Sequence, residues 1–312
     1  MTVEPIGEVA FHARRSVVAL LSSIVDYAGL FPPAKLDMAT TVRNYASYLD
    51  GDDAWMLERL IVPVARLDEF EREAAAQLPK SPDDDPWHLS AITAPAGDDR
   101  LAADVERIQR FNERHADPAN GLAMIDAVEL KGGDSETIDR AIDLVPDELY
   151  PFFEIAIDRD PRGLIATLVG GEAGAKIRTG GLTADLHPRP EDVARFIAAC
   201  AASDVPFKAT AGLHAPLRHY EPSVEAEQFG FLNIFIAAAL ALHRELTANA
   251  IHPILVEAGA EAFEFENDAL VVGDDRLTHD EIEDARLSFA VSFGSCSFDE
   301  PLDHLRAMKL IH

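Results

Sequence analysis

Residues 174–181, GAKIRTGG, and residues 205–218, VPFKATAGLHAPLR, enclose a stretch, EDVARFIAACAASD, in which Val193, Phe196, Ile197 and Cys200 recur at helical spacing. The pattern predicts a strand–helix–strand unit with one lysine inside each strand, Lys176 and Lys208. Glycines follow both: Gly180 and Gly181 after the first, Gly212 after the second. An ammonium in a buried strand is costly unless it is paired or used. These two lysines are therefore where function is to be sought first.

Working outward, the chain alternates strand-like and helix-like segments. Strand patterns fall at SSIVDYAGLFPP, with Asp26 near the strand's end, then at MLERLIVPV, WHLSAITA, AMIDAVELKGG and YPFFEIAID. Helical patterns separate them, two of them opened by the caps Asp37 and Asp134. A leading helix is expected over residues 8–21. After the organising unit, FGFLNIFIAAALALH is the most apolar helix and should be well buried. The end is less regular. Residues 252–275 suit a short helix and a final strand, or a hairpin turning at Asn267–Asp268, and residues 278–293 suit an amphipathic helix. GSCSFDEPLDHLRAM then turns into a last helix with Ser295 or Ser297 as cap.

Eight strand-like segments, most separated by a helix, imply parallel pairing. They fit a (β/α)8 TIM barrel of the α/β class, with an extra N-terminal helix and an irregular C-terminal end. A doubly wound open sheet is the weaker choice, because no GxGxxG follows the first strand. No linker interrupts the pattern, so residues 1–312 are expected to form a single barrel domain.

Bulk composition narrows the partners. With 55 carboxylates against 27 basic residues, the net charge of −28 argues against nucleic acid and anionic membrane surfaces. No apolar run reaches membrane-spanning length, and the N-terminus lacks the order of a signal peptide, so a cytoplasmic location is expected. Cys200 and Cys296 have neither metal-ligand nor redox-motif spacing. Only six of the basic residues are lysines, and three of those, Lys131, Lys176 and Lys208, fall in predicted strands. Solubility does not explain that placement.

Side chains alternate along a strand, which allows a parity test. Glu129 and Lys131 oppose Val128 and Leu130; Glu154 opposes Phe153 and Ile155. Lys176 and Arg178 oppose Ala175 and Ile177, Lys208 opposes Phe207 and Ala209, and Asp26 opposes Val25. If the apolar faces pack on the outer helices, all the charges point into the barrel, most near the C-terminal ends where barrel active sites form. The same residues also suit a purely structural core of interlocked ion pairs. Taken together with the glycine-rich loops, they favour a site.

A lysine attacks a carbonyl only as the free amine, and burial or a neighbouring cation lowers its pKa. Adjacent strands lie about 4.8 Å apart, so Lys208 and Arg178 are expected to repel a proton from Lys176. Asp26, Glu129 or Glu154 would then shuttle protons.

The K-x-x-T-G pattern of AKIRTGG, followed by VPFKATAG, resembles the class I aldolases of the deoxyribose-phosphate aldolase type. By that resemblance the chain is a (β/α)8 barrel forming a Schiff base on Lys176, with Lys208 depressing its pKa and Glu129 standing where the family places an aspartate. Arg178 inside the motif, Glu for Asp, and GLHAPLR in place of a glycine-rich phosphate-binding turn are departures. DYAGLFPPA, FKATAGLH and GSCSFDEP also resemble marks of a bacterial barrel family with no assigned activity.

The expected function is thus aldolase-like or other lyase chemistry on a small carbonyl or carboxylate compound, phosphorylated or not. Lys176, Lys208, Glu129, Glu154 and Asp26 are the catalytic candidates. Arg178, Lys131, Thr210, His214, Arg218, Gly180 and Gly181 are the substrate-binding candidates. No cofactor is required. Two alternatives stay open. One is metal-assisted proton abstraction or hydrolysis, with a divalent ion on Asp26, Glu129, Glu154 and His214. The other is a non-catalytic barrel that clamps a small anion with Arg178, Lys208 and Arg218. A small-molecule partner is expected in each case, and homo-oligomerisation is left open.

Overall fold

The structure is a computed structural model and describes residues 13–312. Eight parallel strands close into a barrel: β1 (Val25–Tyr27), β2 (Leu57–Pro63), β3 (Trp87–Ile92), β4 (Ala123–Lys131), β5 (Tyr150–Glu154), β6 (Gly174–Arg178), β7 (Phe207–Thr210) and β8 (Ala290–Ser295). Each pairs with its sequence neighbours, and β8 closes the ring on β1 with Asp26 opposite Gly294. The (β/α)8 architecture expected from the alternation is the one observed.

The parity reading accounts for the core. Val128, Leu130, Phe153, Ile155, Ala175, Ile177, Phe207 and Ala209 are all buried among the apolar residues between strands and helices. Asp37 and Asp134 cap the helices Met38–Leu49 and Ser135–Leu144, accepting from the amides of Thr40 and Thr137. The helix Phe231–Arg244 is buried from Phe231 through Ala241. It is apolar all round because the helices Pro190–Ser203, Ala248–Val256 and His279–Ser288 cover it while its Phe231 ring stacks on Phe293 of β8.

Two expectations need correction. The leading helix spans Arg15–Leu21; residues 8–12 of the expected range lie outside the described residues. The final strand does not lie in residues 252–275. That segment forms the helix Ala248–Val256 and the first two strands, Glu264–Phe265 and Ala269–Val272, of an antiparallel sheet completed by Asp275–Thr278. The hairpin at Asn267–Asp268 is present there. The eighth stave comes instead from residues read as the end of a helix. The helix opens on a capping box between Thr278 and Glu281 and stops at Ser288. Ile282, Ala285, Phe289 and Phe293 keep a three-to-four spacing across that stop, which hides the change of period.

Arg286 holds this junction. Its guanidinium is buried with no carboxylate in ion-pairing distance among the described residues. It donates instead to the carbonyls of Leu20 (2.8 Å), Ser22 (3.2 Å) and Ala290 and lies over the Phe235 ring. Burial pulls its pKa down to about 9. Replacement Arg286→Leu leaves buried carbonyls unpaired, at about 1–3 kcal/mol each. The urea midpoint should fall accordingly, and an unchanged midpoint would show that water or a backbone shift takes over.

Candidate functional site

The barrel axis carries a ladder of alternating charges. Lys208 Nζ, at the middle of β7, lies 2.5 Å from Asp26 Oδ2 and 2.6 Å from Glu129 Oε1. The other oxygen of Glu129 takes Lys176 Nζ at 3.0 Å, and Lys176 also reaches Glu154 Oε2 at 3.1 Å. Glu154 in turn accepts from both Nε and Nη2 of Arg178, each at 3.4 Å. The register makes this contiguous: Lys131 stands opposite Glu154, Glu154 opposite Lys176, and Lys176 opposite Lys208. Three carboxylates and three cations balance.

Exposure rises along the ladder. Asp26, Glu129 and Lys208 are at most 1 % exposed and Lys176 6 %. The side chain of Glu154 is 16 % exposed and that of Arg178 44 %. The dry end is fully hydrogen-bonded, as buried charges must be. Ser292 Oγ donates to Asp26 Oδ2 at 2.6 Å, the Arg59 amide to Asp26 Oδ1, and Ser90 Oγ to Glu129 Oε1 at 2.8 Å. The Phe152 ring lies 5.5 Å from Lys208 Nζ. Ser90 and Ser292 were not singled out from sequence, because a strand serine gives no signal until its neighbour is known.

A second polar cluster also escaped the sequence reading. Arg59 donates twice to Asp126, at 2.6 and 2.9 Å, and His88 Nδ1 lies 3.1 Å from the same carboxylate. Asp126 shares parity with outward-facing Val128, but the β3–β4 register shifts between Leu89 and Ser90, skipping Asp126. Burial pushes the Asp126 carboxyl up, and His88 and Arg59 outweigh it to leave a pKa of about 2. The hydrogen bond to Asp126 raises His88.

A cavity of about 540 Å³ opens at the C-terminal ends of β4, β5 and β6. Its lining includes Lys131, Glu154, Arg178, His187, Arg189 and Leu164. Of the substrate-binding candidates, only Lys131 and Arg178 are among the lining residues. Thr210 sits beside Arg178 and Gly294 in the register. Gly180 and Gly212 serve the close crossing of the loops after β6 and β7: a Cβ on Gly180 would meet the Gly212 Cα at 3.0 Å, and Gly212 has φ +76°. Gly181 packs against Leu186. His214 Nδ1 lies 2.8 Å from Glu300 Oε2 without hydrogen-bond geometry. Arg218 turns to Glu227 and the Phe229 ring, with Nη1 buried and unpaired. The three-cation clamp of Arg178, Lys208 and Arg218 is therefore not assembled around this cavity.

One chemical expectation changes with this geometry. The lysines do stand side by side, yet Glu129 lies between their ammonium groups, so attraction replaces the expected repulsion. Burial pulls Lys208 down, but Asp26 and Glu129 more than offset it and raise its pKa. Burial likewise raises Glu129, and Lys208 and Lys176 carry it well below the usual carboxylate range. Lys208 keeps Glu129 ionised. Of the four residues expected to hold a divalent ion, Asp26, Glu129 and Glu154 are each paired with cations, and His214 sits apart beside Glu300. Among the described residues no group of three or more His, Cys, Asp or Glu side chains is placed to hold a metal.

Fold and site together define a (β/α)8 barrel whose ionic axis surfaces in a cavity at the C-terminal face. Compared with family models, with curated proteins and with solved structures, the chain finds no match. No helix among the described residues is long and apolar enough to cross a membrane.

Breaking the dry end should cost stability. Lys208→Met leaves Asp26 buried without a cation and Glu129 with Lys176 as its one remaining ion pair, and a loss of about 3–5 kcal/mol in urea unfolding near pH 7 is expected. In wild type Lys208 helps hold the Glu129 carboxyl low, a stabilisation lost as pH falls and already missing in the variant, so the deficit should shrink on acidification. A deficit that grows on acidification would contradict the pairing. For His88 the sign is opposite. Its raised pKa gives stabilisation that is complete below 6.5 and lost as pH climbs through the folded value. His88→Asn should therefore cost more at about pH 5.5 than at about pH 9.

Proposed function

We propose that the protein is an enzyme acting on a small carbonyl or carboxylate compound through Lys176, by aldolase-like or other lyase chemistry. One observation carries the reading. Lys176 is the outermost amine of the ladder, held between a fixed carboxylate, Glu129, and one that lines the cavity, Glu154. The resemblance of AKIRTGG and VPFKATAG to Schiff-base aldolases supports it independently.

In this reading Glu154 takes a proton from the Lys176 ammonium, and the freed amine attacks the carbonyl carbon. A proton passes from nitrogen to the new alkoxide, Glu154 returns its own proton to the hydroxyl, and water leaves an iminium. The positive nitrogen then draws in the electrons of a C–H or C–C bond one carbon away to give an enamine, and the Glu154 carboxylate takes the released proton, from the C–H itself or from the hydroxyl of the fragment that departs as a carbonyl. Glu129, kept ionised by Lys208, faces that charge throughout. Lys208 serves as a fixed counter-charge for Glu129, while Asp26 anchors Lys208. A cytoplasmic setting is supported by Cys200 and Cys296, both free thiols. The acidic chain speaks against polyanionic substrates.

A second reading is favoured by Lys176 touching two carboxylates at rest: a non-catalytic barrel that binds a small anion at the cavity. Borohydride reduction in the presence of a panel of small aldehydes and ketones separates the two. A mass increment on Lys176, absent in Lys176→Arg, is the expected result. Adducts confined to Lys35, Lys80 or Lys309, or none at all, would overturn the catalytic reading.

A further inference from the structure

Arg178 is held less tightly than the arginines of the two bidentate pairs on Asp126 and Asp192. Its two bonds to Glu154 are both 3.4 Å, against 2.6 and 2.9 Å for Arg59 on Asp126 and 2.9 Å twice for Arg189 on Asp192. Its Nη1 carries no hydrogen bond among the described residues. Lys131, exposed at the end of β4, has no carboxylate within 4.0 Å among the described residues, although its strand position is opposite Glu154. Both line the cavity, and they flank Glu154 from the strands on either side. Two cations with donors to spare thus stand beside the carboxylate that touches Lys176.

We infer that the cavity takes a short monocarboxylate with its carbonyl next to the carboxylate, a 2-oxo acid, and that Arg178 and Lys131 clamp the carboxylate. The carbonyl end rests on the reading of Lys176 given above; the carboxylate end does not. Arg178 lies two residues beyond Lys176 on β6, a rise of about 7 Å that long side chains close. Anion and carbonyl must therefore be near neighbours in the molecule. Charge sets the valence. Glu154 and Asp192 already engage Arg178 and Arg189, leaving Lys131 as the spare positive unit, while Asp158 and Asp185 stand exposed among the lining residues. Lys131 can meet one negative charge, but with Asp158 and Asp185 the lining already sums to one net negative charge, so the second charge of a phosphate dianion finds no free cation there. The planar guanidinium suits a two-oxygen anion.

Recognition and activation are coupled by this arrangement. Burial raises the Glu154 carboxyl, and Lys176 and Arg178 together hold it below its ordinary value. An anion that shares Arg178 weakens that hold, and Glu154 becomes a better acceptor for the Lys176 proton. The carboxylate of the substrate would thus prepare the amine for its own carbonyl.

The test uses the whole protein and two probes. Oxamate, an unreactive isostere of pyruvate, is titrated calorimetrically against wild type, Arg178→Gln and Lys131→Gln. Binding to wild type, weakened about tenfold or more by each substitution, and tighter than that of inorganic phosphate, is expected. Absence of oxamate binding, equal binding by the variants, or preference for phosphate would overturn the inference. Borohydride trapping of pyruvate and of acetone supplies the second arm. Wild type should trap pyruvate at least tenfold faster than acetone, and that ratio, whatever the absolute rates, should fall at least tenfold in Arg178→Gln. If oxamate binds as expected and no carbonyl is ever trapped, the carboxylate clamp stands and the Lys176 chemistry falls. If acetone is trapped as fast as pyruvate and oxamate does not bind, the reverse holds.

Discussion

Glu129 holds two ammonium groups with one carboxylate, and the interior of the barrel depends on it. In a low-dielectric core an isolated ion costs several kcal/mol, so Lys208 can stay charged only because Asp26 and Glu129 both reach it. Glu129 in turn needs both lysines and the hydroxyl of Ser90. Four strands, β1, β4, β6 and β7, are thereby tied across the axis, in addition to the bonds that pair each with its neighbours. The inner half of the ladder is rigid for that reason. Its outer half, Glu154 and Arg178, reaches the cavity and holds longer contacts, so the fixed part supports the part that can exchange partners.

The contrast between the two lysines follows from depth. Lys208 is shut away from solvent and has two short ion pairs, which suits a permanent charge. Lys176 lies one step nearer the cavity, where one of its two carboxylates is accessible. A single residue type on adjacent strands therefore serves two ends, and the difference is made by what surrounds each ammonium.

Much of this was legible in the sequence, for a definite reason. A charged residue every second position, opposite an apolar one, is unambiguous about which face it occupies, so Glu129, Glu154, Lys176, Arg178, Lys208 and Asp26 declared themselves. Which ions would touch was not legible. Asp26 and Lys208 are 182 residues apart, and only closure of the ring by β8 brings them together. β8 itself was misread because its inward positions, Ser292 and Gly294, carry no charge, and Phe289 and Phe293 continue the spacing of the preceding helix. Asp126 was missed because a register shift reverses its parity. The glycines after β6 marked a close approach of two loops, Gly180 against Gly212, which sequence alone could not distinguish from contact with a ligand.

The neutrality of the ladder has a consequence for encounter in solution. Because Asp26, Glu129 and Glu154 cancel Lys176, Lys208 and Arg178, the excess of 28 negative charges belongs to the rest of the chain. A small anion approaching the mouth is first repelled by that halo and meets the attracting groups only within the last few ångströms. Added salt shortens the reach of the halo to about 8 Å at physiological ionic strength and leaves the enclosed contacts nearly untouched. Capture of an anion should thus quicken with ionic strength, opposite to the behaviour of a protein that steers its ligand from afar.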